Sequence, residues 1–313
     1  MSGYIIGRLS LAVPTLFLVS LAVFFLIRLV PGDPALVMLG EGADPATLAA
    51  MHRELGLDRP LMTQYLLWLG HALRGDLGIS IVSGEPVGGL VLSHFALTVA
   101  VVLPAVAFAT VLAVVFGMMA AWKHGQPIDL AVSATTGLLL AVPGFWLGLV
   151  LLIVFGVKLH WLPIVGYIPF SESAGAALLF LVLPIATLTL TETGTLTRMM
   201  RASAIDVFAL DYITHARAKG LPERLVLARH VFPNAFAPTL TLIGLTLGHL
   251  LGGVAVVETV FTLPGLGRLM VDSILARDYP VIQGCLLLTA LVFVLVNLVV
   301  DLIYPVFDPR VKS

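Results

Sequence analysis

Few residues in this sequence could do chemistry by themselves. Glu192 stands in an apolar run, with Thr187, Thr191 and Thr195 around one side of the same helical stretch and Arg198 just beyond. A carboxylate in such a run faces a cavity or a partner charge, whereas threonine hydroxyls commonly bond back to their own helix carbonyls. His249 stands alone in a later run, and Asp301 lies near the end of the last one, where snorkelling is its default. Glu192, Thr191, His249 and Gly248 therefore read as a polar pathway or a subunit interface. No nucleotide-cradling GxxxxGK[ST] and no metal-binding HExxH occurs, and no GxSxG lies in or beside an apolar run. Cys285 is the single cysteine, so a disulfide framework and a cysteine metal cluster are both excluded. A net charge of −1 gives no hint of nucleic acid. Catalytic residues and a metal site are absent from this reading.

Such residues need a scaffold, and composition says which kind. Of 313 residues, 59% are hydrophobic and 11% charged, too apolar for a water-soluble fold. The first apolar run, Leu9 to Ile27, is flanked by Arg8 and Arg28 and followed by no small-x-small cleavage site, so it reads as an uncleaved span. Further runs at 95–121, 130–156, 176–197, 238–259 and 281–304 can each cross a bilayer at about 1.5 Å per residue. The expectation is an all-α integral membrane protein with six transmembrane helices. Pro14, Pro104, Pro143 and Pro184 fall inside spans, where neighbouring helices can satisfy the freed carbonyls. Gly244, Gly248 and Gly252 give the fifth span a flat face for another helix, from this chain or a second subunit.

With the N-terminus in the cytosol, the inner segments (1–8, 122–129, 198–237, 305–313) carry ten Lys and Arg in 65 residues. The outer ones (31–93, 157–175, 260–280) carry six in 103. The bias favours both termini inside. The chain then divides into a first span plus extracytoplasmic loop (1–94), a five-helix core (95–304) holding a cytoplasmic loop at 198–237, and a cytoplasmic tail (305–313).

The stretch from Arg198 to Pro238 holds six of the 17 Lys and Arg. Ile205, Phe208, Tyr212 and Ala216 recur at helical spacing, which predicts a helix over 203–219. Arg217 and Lys219 suit its negative end, and Gly220 can take the left-handed conformation that stops it. Pro222 and Glu223 read as the first turn of a second helix running toward Pro233. A loop needed only for its charge has no use for helix stops and starts. Helix, glycine, helix at a membrane surface reads as a docking element for a cytosolic partner.

This stretch resembles the cytoplasmic coupling loop, the EAA loop, of permease subunits from binding-protein-dependent ATP-driven importers. Gly220 and Pro233 fall at that family's spacing, with Thr214-His215-Ala216 in place of its first triplet and His230-Val231-Phe232 before the proline. Asp211-Tyr212, Ala216 to Leu221, Arg229-His230 and Asn234-Ala235 are similar to the dipeptide/oligopeptide/nickel branch. So are Pro31-Gly32-Asp33-Pro34, Leu55 to Pro60, Arg74 to Gly78, Pro264 to Arg268, Asp278-Tyr279-Pro280 and Asp308-Pro309-Arg310. On this resemblance Asp211, Tyr212, Ala216, Arg217, Ala218, Lys219, Gly220, Leu221 and Pro222 would couple the chain to an ATPase.

The resemblance implies the type I ABC importer permease fold, N-in and C-in, in a bacterial or archaeal cytoplasmic membrane. It implies a second homologous permease as heterodimer partner, two cytosolic ATPases and an extracytoplasmic solute-binding protein. This chain would bind no cofactor, with ATP and magnesium held by the ATPases, and its remaining neighbour would be membrane lipid. Dipeptides or oligopeptides would be the substrates, and nickel chelates or glutathione the alternatives. An ion-coupled secondary transporter is disfavoured by the lack of clear internal repeats, and a membrane-embedded enzyme by the missing motifs.

Outside, Asp44-Pro45 reads as a helix cap and first turn, and Gly56 as a stop. A helix from Pro60 to Arg74 places Leu61, Tyr65, Trp68 and Ala72 on one face. It either lies on the membrane surface or forms a platform where Tyr65 and Trp68 dock the binding protein. Pro264-Gly265-Leu266-Gly267 reads as the tight turn of a hairpin.

Overall fold

The computed structural model describes residues 2–29, 34–40, 42–54, 56–164 and 166–307. Pro31-Gly32-Asp33, Leu55 and the tail motif Asp308-Pro309-Arg310 lie outside them. The first half holds α1 (Ser2–Leu29), α2 (Pro34–Leu39), α3 (Pro45–Glu54), α4 (Leu61–Ala72), α5 (Val87–Trp122), α6 (Pro127–Ala141) and α7 (Gly144–Leu151). A π-helical stretch, Leu152–Lys158, prolongs α7. The second half holds α8 (Ala174–Phe208), α9 (Asp211–Ala218), α10 (Glu223–Leu225), α11 (Phe232–Leu251), α12 (Ala255–Val260), α13 (Leu266–Ala276) and α14 (Tyr279–Phe307). A second π-helical stretch, Val226–Val231, joins α10 to α11.

Among the described residues, five helical stretches are long and apolar enough to cross a membrane: within α1, α5, α8, the run Glu223–Leu251, and α14. The run expected as one span over 130–156 is instead bent by 98° between α6 and α7. Its cause is local. A residue before proline is pushed out of the helical region, and Val142, before Pro143, is extended at ψ 123°. Pro14, Pro104 and Pro184 sit within unbroken helices. The fifth run stops at Leu251 rather than 259, because the chain turns through Gly252 and Gly253, the latter at φ 126°.

Small residues set the packing. Ala105, Ala109, Ala113 and Gly117 recur every four residues along α5, all buried, and α8 runs beside them in the same direction. A Cβ on Gly117 would stand 2.8 Å from the Met200 Cβ, and Thr189 donates to the Ala105 carbonyl at 3.3 Å. The glycine face of α11 is filled from within this chain. Added Cβ atoms on Gly244, Gly248 and Gly252 would run into Val300, Phe293 and Thr289 of α14. Across the bend, α6 and α7 keep one antiparallel path along α8. Gly194 meets Leu140, Gly144 meets Thr191, and Gly148 meets Thr187.

Outside the long helices, the caps at Asp44 and Gly56 form as expected. The Asp44 carboxylate accepts from Ala46 N–H at 3.2 Å, and Gly56 takes φ 65°. The α4 face turns inward. Tyr65 is buried, its hydroxyl 2.8 Å from Ser20 Oγ of α1, and its ring lies among Phe17, Phe24, Phe25 and Trp68. Burial against α1 withdraws Tyr65 from the docking role expected for it, and Trp68 packs on Phe24 beside it. After α4, Gly78 N–H and then the His71 ring hold the exposed Asp76 carboxyl below its usual range.

Candidate coupling segment and intramembrane polar residues

The predicted helix over 203–219 is two helices. α8 carries the fourth span on to Phe208, the chain extends at Leu210 (ψ 140°), and α9 starts at Asp211. Asp211 in the first turn suits the positive end of the new helix dipole. Ile213 and Ala216 face inward and are buried, while Asp211, Thr214, His215, Ala218 and Lys219 face out. The buried pair joins Ala121, Met200, Ala204, Val207, Val226, Val231 and Ala235 in a small core under the segment. This is a folded unit, with its own apolar centre and a polar outer face.

The stop is built as the sequence suggests. Gly220 has φ 76°; its N–H donates to the Arg217 carbonyl at 2.9 Å, and Leu221 N–H donates to Ala216 at 3.4 Å. That pair of bonds is the Schellman arrangement, which needs a left-handed residue at the glycine position. No heavy atom lies within 4 Å of where a Gly220 Cβ would stand. Glycine is therefore required by conformation, not by space. Pro222 then caps the next helix at ψ 141°. Arg217 bridges the joint, donating to the Glu223 carboxylate through Nε at 3.3 Å and also through Nη2, with its guanidinium 5.3 Å from the Phe208 ring centroid.

The second helix does not end at Pro233. It continues through the π turn into α11, with Pro233 tolerated in the first turn of that element. The π turn shifts the carbonyl register, and the His230 carbonyl takes two side-chain donors, Tyr212 Oη at 3.3 Å and Asn234 Nδ2 at 2.9 Å. Tyr212 thus ties α9 to the base of the fifth long helix.

Among the polar residues of the long helices, Thr187 and Thr191 donate to the carbonyls of Leu183 and Thr187, four residues back, at 2.8 and 2.9 Å. Their hydroxyls are used within α8. Glu192 is half-buried and lies within electrostatic reach of His249 on α11. His249 is exposed rather than packed. Gly248 receives Phe293 of the same chain.

Three acidic residues to which sequence reasoning gave no structural role organise the molecule. Asp129 accepts from Arg201 Nη2 at 2.8 Å, pairs with its Nε, and also receives Gly125 N–H and the His124 ring at 3.0 Å each. Glu258 is buried and accepts from Thr98 Oγ1 at 2.7 Å and Arg268 N–H at 2.8 Å, so it caps α13 and ties it to α5. The expected hairpin is therefore a capped helix. Asp278 receives the Ser80 hydroxyl, Ile81 N–H and Val82 N–H, fastening the end of α13 to the loop before α5. Their sequence signal was a carboxylate beside a glycine or proline turn, which composition alone does not distinguish from a solvated loop. Among the described residues no group of three or more His, Cys, Asp or Glu is placed to hold a metal ion.

A bundle of long apolar helices defines a membrane-spanning protein, and comparison with known proteins says of which kind. The chain belongs to the binding-protein-dependent transport system inner membrane components. That family's model matches residues 113–313, and the model of the N-terminal part of such membrane components matches residues 1–102. It is a multi-pass protein of the bacterial inner membrane.

Its relatives are particular. A Brucella abortus (strain 2308) protein named as a peptide transport system permease is 39% identical over 312 residues, covering 100% of this chain and 99% of that protein. The glutathione transport system permease protein GsiC of Escherichia coli K12 is 40% identical over 314 residues, with coverage of 100% and 99%. Among solved structures, a chain of the inward-facing MetNI methionine ABC transporter shares the fold at TM-score 0.57 and 19% identity, covering 70% of this chain and 96% of its own.

Proposed function

We propose that this chain is the membrane-spanning subunit of an ATP-driven importer and forms part of the path for short peptides delivered by a solute-binding protein. The observation that carries it is the Gly220 joint: a folded helix–glycine–helix unit whose outer face is polar and whose second helix is continuous with a long apolar one. A partner seated on α9 acts on the bundle through that continuity. Asp211, Tyr212, Ala216, Arg217, Ala218, Lys219, Gly220, Leu221 and Pro222 form the coupling segment. Ile213, Ala216 and the Arg217–Glu223 pair hold its shape.

In this reading the bent pair α6–α7 makes one crossing. Its antiparallel path along α8 and the parallel course of α5 and α8 both support that. The chain then crosses six times with both termini in the cytosol, and divides into an N-terminal part (1–94), a core (95–304) and a tail (305–313). ATP and magnesium belong to two cytosolic ATPases, and a second permease completes a heterodimer. The names of the relatives support peptides as substrate. GsiC at 40% identity supports glutathione, itself a tripeptide, as the second reading.

The test is purification of the tagged chain from its native membrane. An ATP-hydrolysing subunit and a second permease should accompany it, and the binding protein that stimulates the complex should retain a peptide. Recovery of an active, ion-gradient-driven transporter without any ATPase would overturn the reading.

A further inference from the structure

About 15 Å before α8 ends at Phe208, at 1.5 Å per residue, its surface opens on a cleft against α6. The cleft has a volume of about 600 Å³ and is lined among others by Ser133, Thr136, Thr195, Thr197, Arg198 and Arg201. Several of these polar groups are already used. Thr136 donates to the carbonyls of Val132 and Ser133 at 2.9 and 3.1 Å. Arg201 is held by Asp129 through Nε and Nη2, which neutralises its charge. Ser133 Oγ sits 3.5 Å from the same carboxylate.

What remains is one-sided. Thr197 is 1% exposed, and its Oγ1 has no hydrogen-bond partner among the described residues. A hydroxyl sealed to that degree is out of reach of anything in the cleft, which leaves the next residue. Arg198, the next residue, is exposed and has no carboxylate partner among the described residues. With Arg201 neutralised by Asp129, the wall carries one uncompensated positive charge. A guanidinium offers a planar fork of donors that matches a carboxylate or a phosphate. Leu140 and Leu242 supply apolar walls that weaken competition from water.

We propose that this cleft binds one anionic group, a carboxylate or a phosphate, with the charge met by Arg198, while Asp129 positions Arg201 at the wall. Its volume suits a dipeptide or a lipid headgroup. The anion comes from one of two sources: the C-terminal carboxylate of a peptide in transit, which rests on the transport reading above, or the phosphate of a membrane lipid, which does not.

The experiment uses the full chain in phosphatidylcholine nanodiscs, without ATPase or binding protein, so that its outcome is independent of whether the chain couples to ATP. One arm titrates a labelled alanine dipeptide against the same dipeptide with an amidated C-terminus. The other titrates phosphatidylglycerol and counts retained lipid by native mass spectrometry. At least one anionic probe should bind the wild type. Arg198→Gln should weaken it about ten-fold, as loss of a charge-assisted contact does. Thr197→Val should leave binding unchanged and the thermal midpoint unchanged or higher, because the orphaned hydroxyl is sealed from the cleft. Arg198→Lys should fall between wild type and Arg198→Gln. Binding of the dipeptide but not its amide identifies a substrate carboxylate, and binding of phosphatidylglycerol alone identifies a lipid phosphate. Equal affinity of wild type and folded Arg198→Gln for both anionic probes, or no binding of either by wild type, overturns the proposal.

Discussion

The glycine-hinged helix pairs α9 with α10 and α12 with α13 use glycine for opposite reasons. At Gly220 the backbone is left-handed and the space around it is open. Around α12 and α13 the space itself is used up. A Cβ on Gly267 would lie 2.6 Å from Ala255 N, one on Gly253 2.7 Å from Gly267 Cα, and one on Gly265 inside the Glu258 carboxylate. The joint proposed to couple the chain to an ATPase keeps room around it. One that must stay fixed is packed backbone to backbone and closed with a buried acid.

The comparison breaks most visibly at Gly267. Gly267→Ala should cost about 3 kcal/mol, because a backbone atom rather than a flexible side chain blocks the new carbon. Membrane-inserted yield and the thermal midpoint in detergent should both drop. Gly220→Ala should leave the yield intact, at about 1–2 kcal/mol for the left-handed conformation alone. Equal losses at the two sites would erase the distinction.

Next in size is Glu258→Ala. It strands the Thr98 hydroxyl and the Arg268 N–H, at roughly 2–3 kcal/mol for unsatisfied buried donors. Hydrogen exchange across α13 should rise with it. Ala216→Asp puts a carboxylate into the small core under α9, at about 2 kcal/mol. Protease access to 209–222 should increase while the bundle midpoint holds. Smallest is Arg217→Ala. Arg217 and Glu223 are 42% and 33% exposed, and screening leaves such a pair worth under about 1 kcal/mol. Chemical denaturation should barely register it.

Much of this was legible in the sequence, for identifiable reasons. Apolar runs gave the long helices, and Gly220 with Pro222 gave the joint, because a positive φ and a missing N–H are properties of single residues. Gly244, Gly248 and Gly252 announced a close helix contact, but only the structure shows that α14 fills it. What periodicity could not reach were choices made by tertiary contacts. Pro143 bends its helix while Pro104 and Pro184 do not, although all three sit in apolar runs. Tyr65 has the spacing of a presented face, yet Ser20 and the phenylalanines of α1 claim it. Glu258 reads as a loop acid until Thr98, 160 residues away, is seen donating to it.

The central claim is that motion passes through the open glycine joint. It is tested most directly by reconstituting wild type, Gly220→Val and Gly220→Asn in liposomes with the ATPases, the second permease and loaded binding protein. Asparagine tolerates a left-handed conformation and a β-branched residue does not, while neither meets a neighbour there. Gly220→Val should assemble normally, yet lose transport and stimulated ATP hydrolysis together by about ten-fold, the lower end of a 1–3 kcal/mol strain. Gly220→Asn should stay near wild type. Full transport by Gly220→Val, with an unchanged number of ATP molecules per substrate, would contradict the account.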